Sequence, residues 1–234
     1  MDQNQSIKIP AHLGIILDGN GRWAQRQGKK RSYGHLKGSE NVVTITRACS
    51  DAGVKALSLY AFSTENWKRP IDEVTGLMEL LVKFVREYLD ELDRNGVRLT
   101  MMGKPDRLPF ASRKAIEYAM NRTAGNTGMV LNIGLNYGGR DSILRSVKEA
   151  LSDRKNPAGL TEEAISQHLE TSALPDLDLV IRTGGEQRLS NFMIWEAAYA
   201  EFYFTEVLWP DFSVENLYQA FEAFAGRDRR YGGV

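Results

Sequence analysis

The chain has little of what several protein classes require. It holds one cysteine, Cys49, and three histidines, and its 30 basic side chains are balanced by 30 acidic ones over 234 residues. A single thiol excludes an internal disulfide framework and is compatible with a reducing compartment. It lies in a helix-like run over 42–52 and reads as a small core residue. Balanced charge removes any global attraction to nucleic acid or to an anionic bilayer, although residues 26–31 form a local basic cluster. No apolar run approaches the ~20 residues of a membrane helix, and the polar N-terminus does not resemble a signal peptide. Internal repeats and low-complexity linkers are missing. So are zinc-ligand spacings, the Gly-x-Ser-x-Gly elbow, the phosphate loop ending in Gly-Lys-Ser/Thr and the dinucleotide fingerprint. The expectation is a cytoplasmic protein, soluble but free to touch a membrane, that binds no nucleic acid.

What the chain does have is alternation. Strand-like runs over 13–17, 56–62, 97–102, 129–133, 177–181 and 202–204 are separated by helix-like stretches over 35–52, 72–94, 112–122, 141–151, 191–199 and 214–225. A further helix opens at Thr161, with Glu162 and Glu163 favourably placed in its first turn. Strands separated by helices predict an α/β fold with a central, mostly parallel six-stranded sheet flanked by helices. The best loop, over 155–159, is too short to divide domains, so residues 1–234 read as one. The 72–94 helix is apolar over more than half its circumference. Val74, Leu77, Met78, Leu81, Val85, Tyr88, Leu89 and Leu92 keep helical spacing, and Leu80, Val82 and Phe84 lie outside that stripe. Either the helix is wedged between core elements, or one face lines a cavity for a long apolar ligand.

Three segments gather small, polar and charged residues directly after strands. They are Asp18-Gly19-Asn20-Gly21-Arg22-Trp23, Ser63-Thr64-Glu65-Asn66-Trp67-Lys68-Arg69-Pro70 and Arg182-Thr183-Gly184-Gly185-Glu186-Gln187-Arg188-Leu189-Ser190-Asn191. Loops at the carboxyl ends of parallel strands converge on one crevice. One carboxylate and at least four guanidinium groups would meet there, a combination suited to a diphosphate with a divalent metal. Gly19 and Gly21 let backbone N–H groups approach a phosphate. Asp18 beside that phosphate would need a hard cation between them, for which magnesium is the usual choice; on spacing alone it could equally cap the next turn. Arg182 ends a buried strand, where an unpaired guanidinium is costly. It therefore wants a ligand or a buried carboxylate, and Glu201 and Asp211 are candidates. Ser63, Asn66 and Arg69 either orient a reacting chain or cap the following helix. His35 sits among Tyr33, Gly34 and Gly38, while His12 and His168 have no neighbouring chemistry.

These residues resemble a known family, the cis-prenyltransferases, and within it the bacterial undecaprenyl diphosphate synthases. The likeness covers nearly the whole chain. It rests on Ile16-Leu17-Asp18-Gly19-Asn20-Gly21-Arg22-Trp23-Ala24, on Tyr60 through Pro70, on Asp178 through Glu186, and on shorter matches at Asn132–Arg140, Tyr199–Phe204 and Trp209–Phe212. Gln187, where many relatives carry histidine, is a local departure. The resemblance implies magnesium-dependent condensation of isopentenyl diphosphate onto an allylic diphosphate, typically farnesyl diphosphate, by a homodimer with a hydrophobic tunnel beside the sheet. It implies catalytic roles for Asp18, Asn66, Ser63 and His35, and magnesium at Asp18 and Glu201. Substrate contacts are implied for Gly19, Asn20, Gly21, Arg22, Trp23, Arg31, His35, Phe62, Ser63, Glu65, Asn66, Trp67, Arg69, Arg182, Arg188 and Ser190. Met129, Leu131 and the 77–85 face are expected to line the tunnel. The aspartate-rich clusters of trans-prenyl synthases are absent, in keeping with the cis family. Rival readings are a product of another length, a non-catalytic subunit, and an unrelated phosphate-ester hydrolase; the hydrolase leaves the second loop and the apolar helix unexplained.

Overall fold

The computed structural model describes residues 7–153 and 160–227. Its strands are His12–Ile16 (β1), Ala56–Ser63 (β2), Arg98–Met102 (β3), Val130–Tyr137 (β4), Leu179–Arg182 (β5) and Glu201–Phe204 (β6). They form one sheet in the order β3-β4-β2-β1-β5-β6, with every neighbouring pair parallel. A parallel return needs a long crossover. Helices Asn20–Arg26 (α1), Arg31–Asp51 (α2), Ile71–Arg94 (α3), Phe110–Arg122 (α4), Gly139–Ser152 (α5), Glu162–Gln167 (α6) and Val214–Ala225 (α7) occupy those crossovers and the end of the chain. Because β1 has β2 on one side and β5 on the other, the loops leaving these three strands share one crevice.

A sheet covered on both faces needs apolar residues on both. Leu13, Ile15, Leu179 and Ile181 join the larger core, together with side chains of α2, α3, α4 and α7. Their strand neighbours Ile16 and Val180 point the other way and join a smaller core with Tyr137, Phe192 and Met193. On the face of the smaller core a polar line crosses four strands. His12 Nε2 lies 2.8 Å from Ser58 Oγ, Asn132 Nδ2 donates to the same oxygen at 3.1 Å, and Thr100 Oγ1 donates to Asn132 Oδ1 at 3.1 Å. The line follows the spatial order β1-β2-β4-β3, so a slipped register would strand buried polar atoms.

Most expected elements appear within two residues of their anticipated bounds, and four details differ. The Gly19-Asn20-Gly21 turn runs straight into α1, a helix not anticipated there, and α2 begins at Arg31 rather than at 35. β4 continues past 133 to Tyr137, its polar residues finding partners: Asn136 Nδ2 donates to Lys104 O at 2.9 Å. The helix expected over 191–199 is replaced by a turn, because Ser190, Asn191 and Met193 all have positive φ (48°, 68° and 42°); only the 3-10 turn Glu196–Tyr199 remains. The loop expected at 155–159 lies outside the described residues.

The terminal helix offers a simple test of local stabilisation. Ser213 Oγ accepts from Asn216 N at 3.2 Å, while Ser213 N donates to Asn216 Oδ1 at 3.1 Å, a reciprocal cap at the start of α7. Ser213→Ala should cost about 1 kcal/mol, or about 2–4 °C in melting temperature for a chain of this size. An unchanged melting curve by circular dichroism would show that water replaces the cap.

Candidate active site

The three loops meet as the crevice argument requires. Asp18, at the end of β1, accepts from Arg182 Nη2 at 2.9 Å on one carboxylate oxygen and pairs with Arg22 Nη2 at 3.3 Å on the other. Arg182 is the last residue of β5, and its side chain is only 5% exposed. Its Nη1 donates to Ser190 Oγ at 2.7 Å and to the Arg188 carbonyl, while its Nε is buried without a partner. Thr183 fixes the junction from below, accepting from Asp18 N at 3.0 Å and donating to Asp18 O at 2.7 Å. Gly184 beside it has φ +86°, a backbone conformation that strains any residue with a side chain.

Two connected spaces open from this junction. The larger, about 710 Å³, runs from Asp18, Arg182 and Ser190 down to Leu81, Phe84 and Ile133. The smaller, about 140 Å³, is a polar hollow walled by Asp18, Gly19, Gly21, Arg22, Arg31 and Arg69. Arg31 is pressed against bare backbone there: a Cβ on Gly21 would lie 2.8 Å from Arg31 Cζ and 2.9 Å from Nη1. At the second loop, Asn66 Oδ1 accepts from Ser63 N at 3.0 Å and caps the 3-10 turn Thr64–Lys68. Ser63 and Asn66 therefore do act as a cap, and both also line the larger space. The broad apolar surface of α3 is likewise explained, since Leu77, Met78, Leu80, Leu81 and Phe84 form one wall of that space.

Most sequence-derived site residues thus come together, lining one space or the other. Trp23 and Trp67 do not: Trp23 stacks on Tyr33 and donates to Asp211 Oδ1, and Trp67 packs on Phe62 and donates to Asn136 Oδ1. The carboxylate that pairs with Arg182 is the half-buried Asp18, not Glu201 or Asp211. Glu201 opposes Leu179 in the β5–β6 register, three residues before the Arg182–Phe204 pair. It lies about 10 Å back along the sheet and accepts from Arg227 Nη1 at 2.8 Å. Within one chain, then, Glu201 does not join Asp18. Met129 and Leu131 are core residues rather than cavity lining; Ile133 and Leu135, further along β4, take that place.

Sequence reasoning passed over one carboxylate, Glu73. Its Oε1 accepts from Arg69 Nη1 at 3.0 Å and lies 3.3 Å from His35 Nε2, and its Oε2 accepts from Arg31 Nε at 3.2 Å. Burial pushes the Glu73 pKa up, but the Arg31 bond and the charges of Arg31, Arg69 and His35 outweigh it and hold it low. Burial lowers the pKa of His35, against the upward pull of Glu73. The Arg69–Glu73 spacing of four residues across a helix start was the available signal.

No cluster of three His, Cys, Asp or Glu side chains is present among the described residues. Asp18 is the carboxylate that faces both spaces, with its side chain 30% exposed. One carboxylate supplemented by ligand oxygens and water is a normal magnesium shell, so the donor set fits a cation that arrives with a phosphate group. The Arg31–Gly21 contact yields a discriminating prediction. Gly21→Ala should leave thermal stability equal or higher, because alanine favours α1, yet weaken binding of inorganic diphosphate by about tenfold through displacement of Arg31. Calorimetric titration with unchanged affinity would refute the role of that contact.

Comparison with known proteins places this geometry. Residues 16–232 match the family model described as putative undecaprenyl diphosphate synthase. Isoprenyl transferases of Clostridium perfringens and Streptococcus agalactiae are 48% and 50% identical, each aligned over 97% of this chain and 91% and 94% of the relative. Among solved structures, lavandulyl diphosphate synthase from Lavandula x intermedia, in complex with dimethylallyl diphosphate, superposes with a TM-score of 0.93 at 33% identity, covering 98% of this chain and all of that one. A probable undecaprenyl diphosphate synthase from Campylobacter jejuni gives 0.81 at 33% identity, over 97% of this chain and all of that one. An apolar cavity with arginines at its polar end, in a chain matched along nearly its entire length, leads to one conclusion: the protein belongs to the undecaprenyl diphosphate synthase family of isoprenyl transferases.

Proposed function

We propose that the protein is a magnesium-dependent cis-prenyltransferase that adds isopentenyl diphosphate units successively to farnesyl diphosphate and releases undecaprenyl diphosphate, a precursor of the lipid carrier of cell-wall synthesis. The observation that carries this reading is the continuity of the two spaces: a ring of cationic and polar groups at the sheet edge opens directly into a cavity of about 710 Å³ whose deep wall is Leu77, Leu81, Phe84 and Ile133. A chain can therefore keep its charged head in place while its tail extends into apolar surroundings.

The residues divide between two diphosphates. Arg22, Arg31, Arg69 and the backbone at Gly19–Gly21 surround the hollow that suits the allylic one; Arg182, Arg188 and Ser190 suit that of isopentenyl diphosphate. Bidentate guanidinium bonds fix the planes of phosphate oxygens, and the positioned alkene then meets the allylic carbon without a bimolecular search. The allylic C–O bond breaks and its electron pair leaves with the diphosphate. The terminal alkene carbon of isopentenyl diphosphate bonds to the allylic carbon, and the tertiary cation loses a proton to water, a diphosphate oxygen or a side chain. Asp18 would hold magnesium, which supplies charge neutralisation for the departing diphosphate. Arginines already in place do the same without reorganisation.

We place the protein in the cytoplasm as a homodimer that touches the membrane transiently to deliver product. No described helix is long and apolar enough to cross a membrane. β6 is an edge strand of half-buried aromatic residues, with Tyr199 beside it 73% exposed, and such an edge is normally covered. A second reading, a shorter product, is favoured by the likeness to lavandulyl diphosphate synthase.

Incubation with farnesyl diphosphate, labelled isopentenyl diphosphate and magnesium should give a ladder ending at one length, abolished by EDTA. The terminal length decides between the two products, and absence of incorporation by folded protein would overturn both. Asp18→Ala should lower turnover by roughly three orders of magnitude and, by leaving the buried Arg182 guanidinium without its anion, should destabilise the fold by about 3 kcal/mol, read as a lowered melting temperature. Arg188→Ala should act mainly on the Michaelis constant for isopentenyl diphosphate; an equal loss in turnover would show that it acts on the transition state instead. Sedimentation of a monomer at micromolar concentration would reject the dimer.

A further inference from the structure

Glu73 lines neither space, yet three groups that wall them converge on its carboxylate. Its side chain is 13% exposed, and it receives Arg31 from α2 and Arg69 from the turn before α3, with His35 of α2 at 3.3 Å. The way the guanidinium groups are used matters. Arg31 gives Glu73 the edge formed by Nε and Nη2, leaving Nη1 against Gly21 at the hollow. Arg69 gives Nη1 and keeps its other edge free. Arg31 is 47% exposed, and a long side chain so placed would otherwise sample many rotamers, whose loss on binding is costly. Glu73 also begins α3, the helix whose next turns carry Leu77, Met78, Leu80 and Leu81 into the apolar cavity. One carboxylate thus joins the polar hollow to the apolar wall.

We infer that Glu73 is a positioning residue for the allylic diphosphate, holding Arg31, Arg69 and His35 with their free edges turned to the hollow. The identity of that ligand rests on the prenyl-transfer reading. A carboxylate beside cations could act in the opposite sense, competing with the diphosphate for them. Geometry favours positioning, because Glu73 lies behind the three groups rather than in the space they surround.

The test compares the wild type with Glu73→Gln and Glu73→Asp. The first readout needs no turnover: the C–H signals of His12, His35 and His168 are followed by NMR against pH in the ligand-free protein. His35 faces Glu73 and Arg69 from the α3 side, Arg31 from its own helix, and Asp18 and Arg22 across the hollow. Glu73 favours the charged imidazole, so Glu73→Gln should move the His35 midpoint to lower pH, by about one unit. Unchanged titrations of His12 and His168 would show the fold intact, and Glu73→Asp, which keeps the charge, should shift His35 less. The second readout is kinetic: Glu73→Gln should raise the Michaelis constant for the allylic diphosphate about tenfold, with a smaller change in turnover, and Glu73→Asp should fall between. An unmoved His35 midpoint, or an unchanged or lowered Michaelis constant, would overturn the inference, a lowered one identifying a competitor. Should the wild type transfer no prenyl groups, the prenyl reading fails by itself, and weaker binding of inorganic diphosphate by Glu73→Gln would still support the positioning role.

Discussion

The pairing of Asp18 with Arg182 is the contact around which the rest of the site is arranged. A guanidinium at the end of an inner strand, with its side chain 5% exposed, is stable only beside an anion. β1 and β5 are neighbours in register, with Ile16 opposite Arg182, so the carboxylate two residues past the end of β1 reaches it. That bond leaves Asp18, 30% exposed and facing both spaces, as the accessible partner of the pair. Arg182 Nε remains without a partner, a cost a structural salt bridge alone would have no reason to carry. On the proposed reading, phosphate oxygens and a cation would complete this ion arrangement.

The parallel sheet makes this possible because it sends every strand's carboxyl end to the same edge. The polar line from His12 through Ser58 and Asn132 to Thr100 pins the register of four strands by the penalty for unpaired buried atoms. Register in turn fixes which loop residues face one another. A one-residue slip of β5 would exchange the faces of Arg182 and its neighbours and carry the guanidinium away from Asp18. The geometry of the site is thus a consequence of strand pairing below it, in which β5 is held to β1 by the backbone ladder and by His12 N donating to Asp178 Oδ2 at 3.1 Å, and not of the loops alone.

Physical reasons also separate what could be read in the sequence from what could not. The strands were legible because doubly covered parallel strands are largely apolar on both faces, as Leu179, Val180 and Ile181 of β5 show. The far half of β4 was not, because Gly134 and Asn136 look like loop residues until the ladder to β2 and the bond from Asn136 to Lys104 O are known. Gly19-Asn20-Gly21 reads as a turn, yet α1 starts within it; 191–199 reads as a helix, yet three positive φ values stop it. The three active-site loops were legible because small, charged and chiral-permissive residues gather where a core needs none. Glu73 was hidden because two of its partners, Arg31 and His35, lie 42 and 38 residues away in sequence. Glu201 stands apart from Asp18 within one chain, because register sets it back from the carboxyl edge of the sheet.

The apolar cavity places its own constraint on how such an enzyme works. At roughly 0.8 kcal/mol per buried methylene, each five-carbon unit gains about 4 kcal/mol on leaving water. Five or so units would already reach the roughly 20 kcal/mol at which non-covalent affinity saturates. A wall that realised all of this energy would hold its product indefinitely. Two features of the chain temper it: the space opens at the polar edge, and much of its deep wall comes from one helix, α3, instead of a closed barrel of strands. Even so, departure into water would return the whole hydrophobic penalty. Departure into another apolar phase would not, because the tail exchanges one such environment for another at little net cost. On the proposed reading, release of a long hydrocarbon would therefore be favoured by contact with a bilayer or another apolar acceptor, either of which takes up the tail at little net cost. It would hold for any product long enough to fill the space between Asp18 and Phe84.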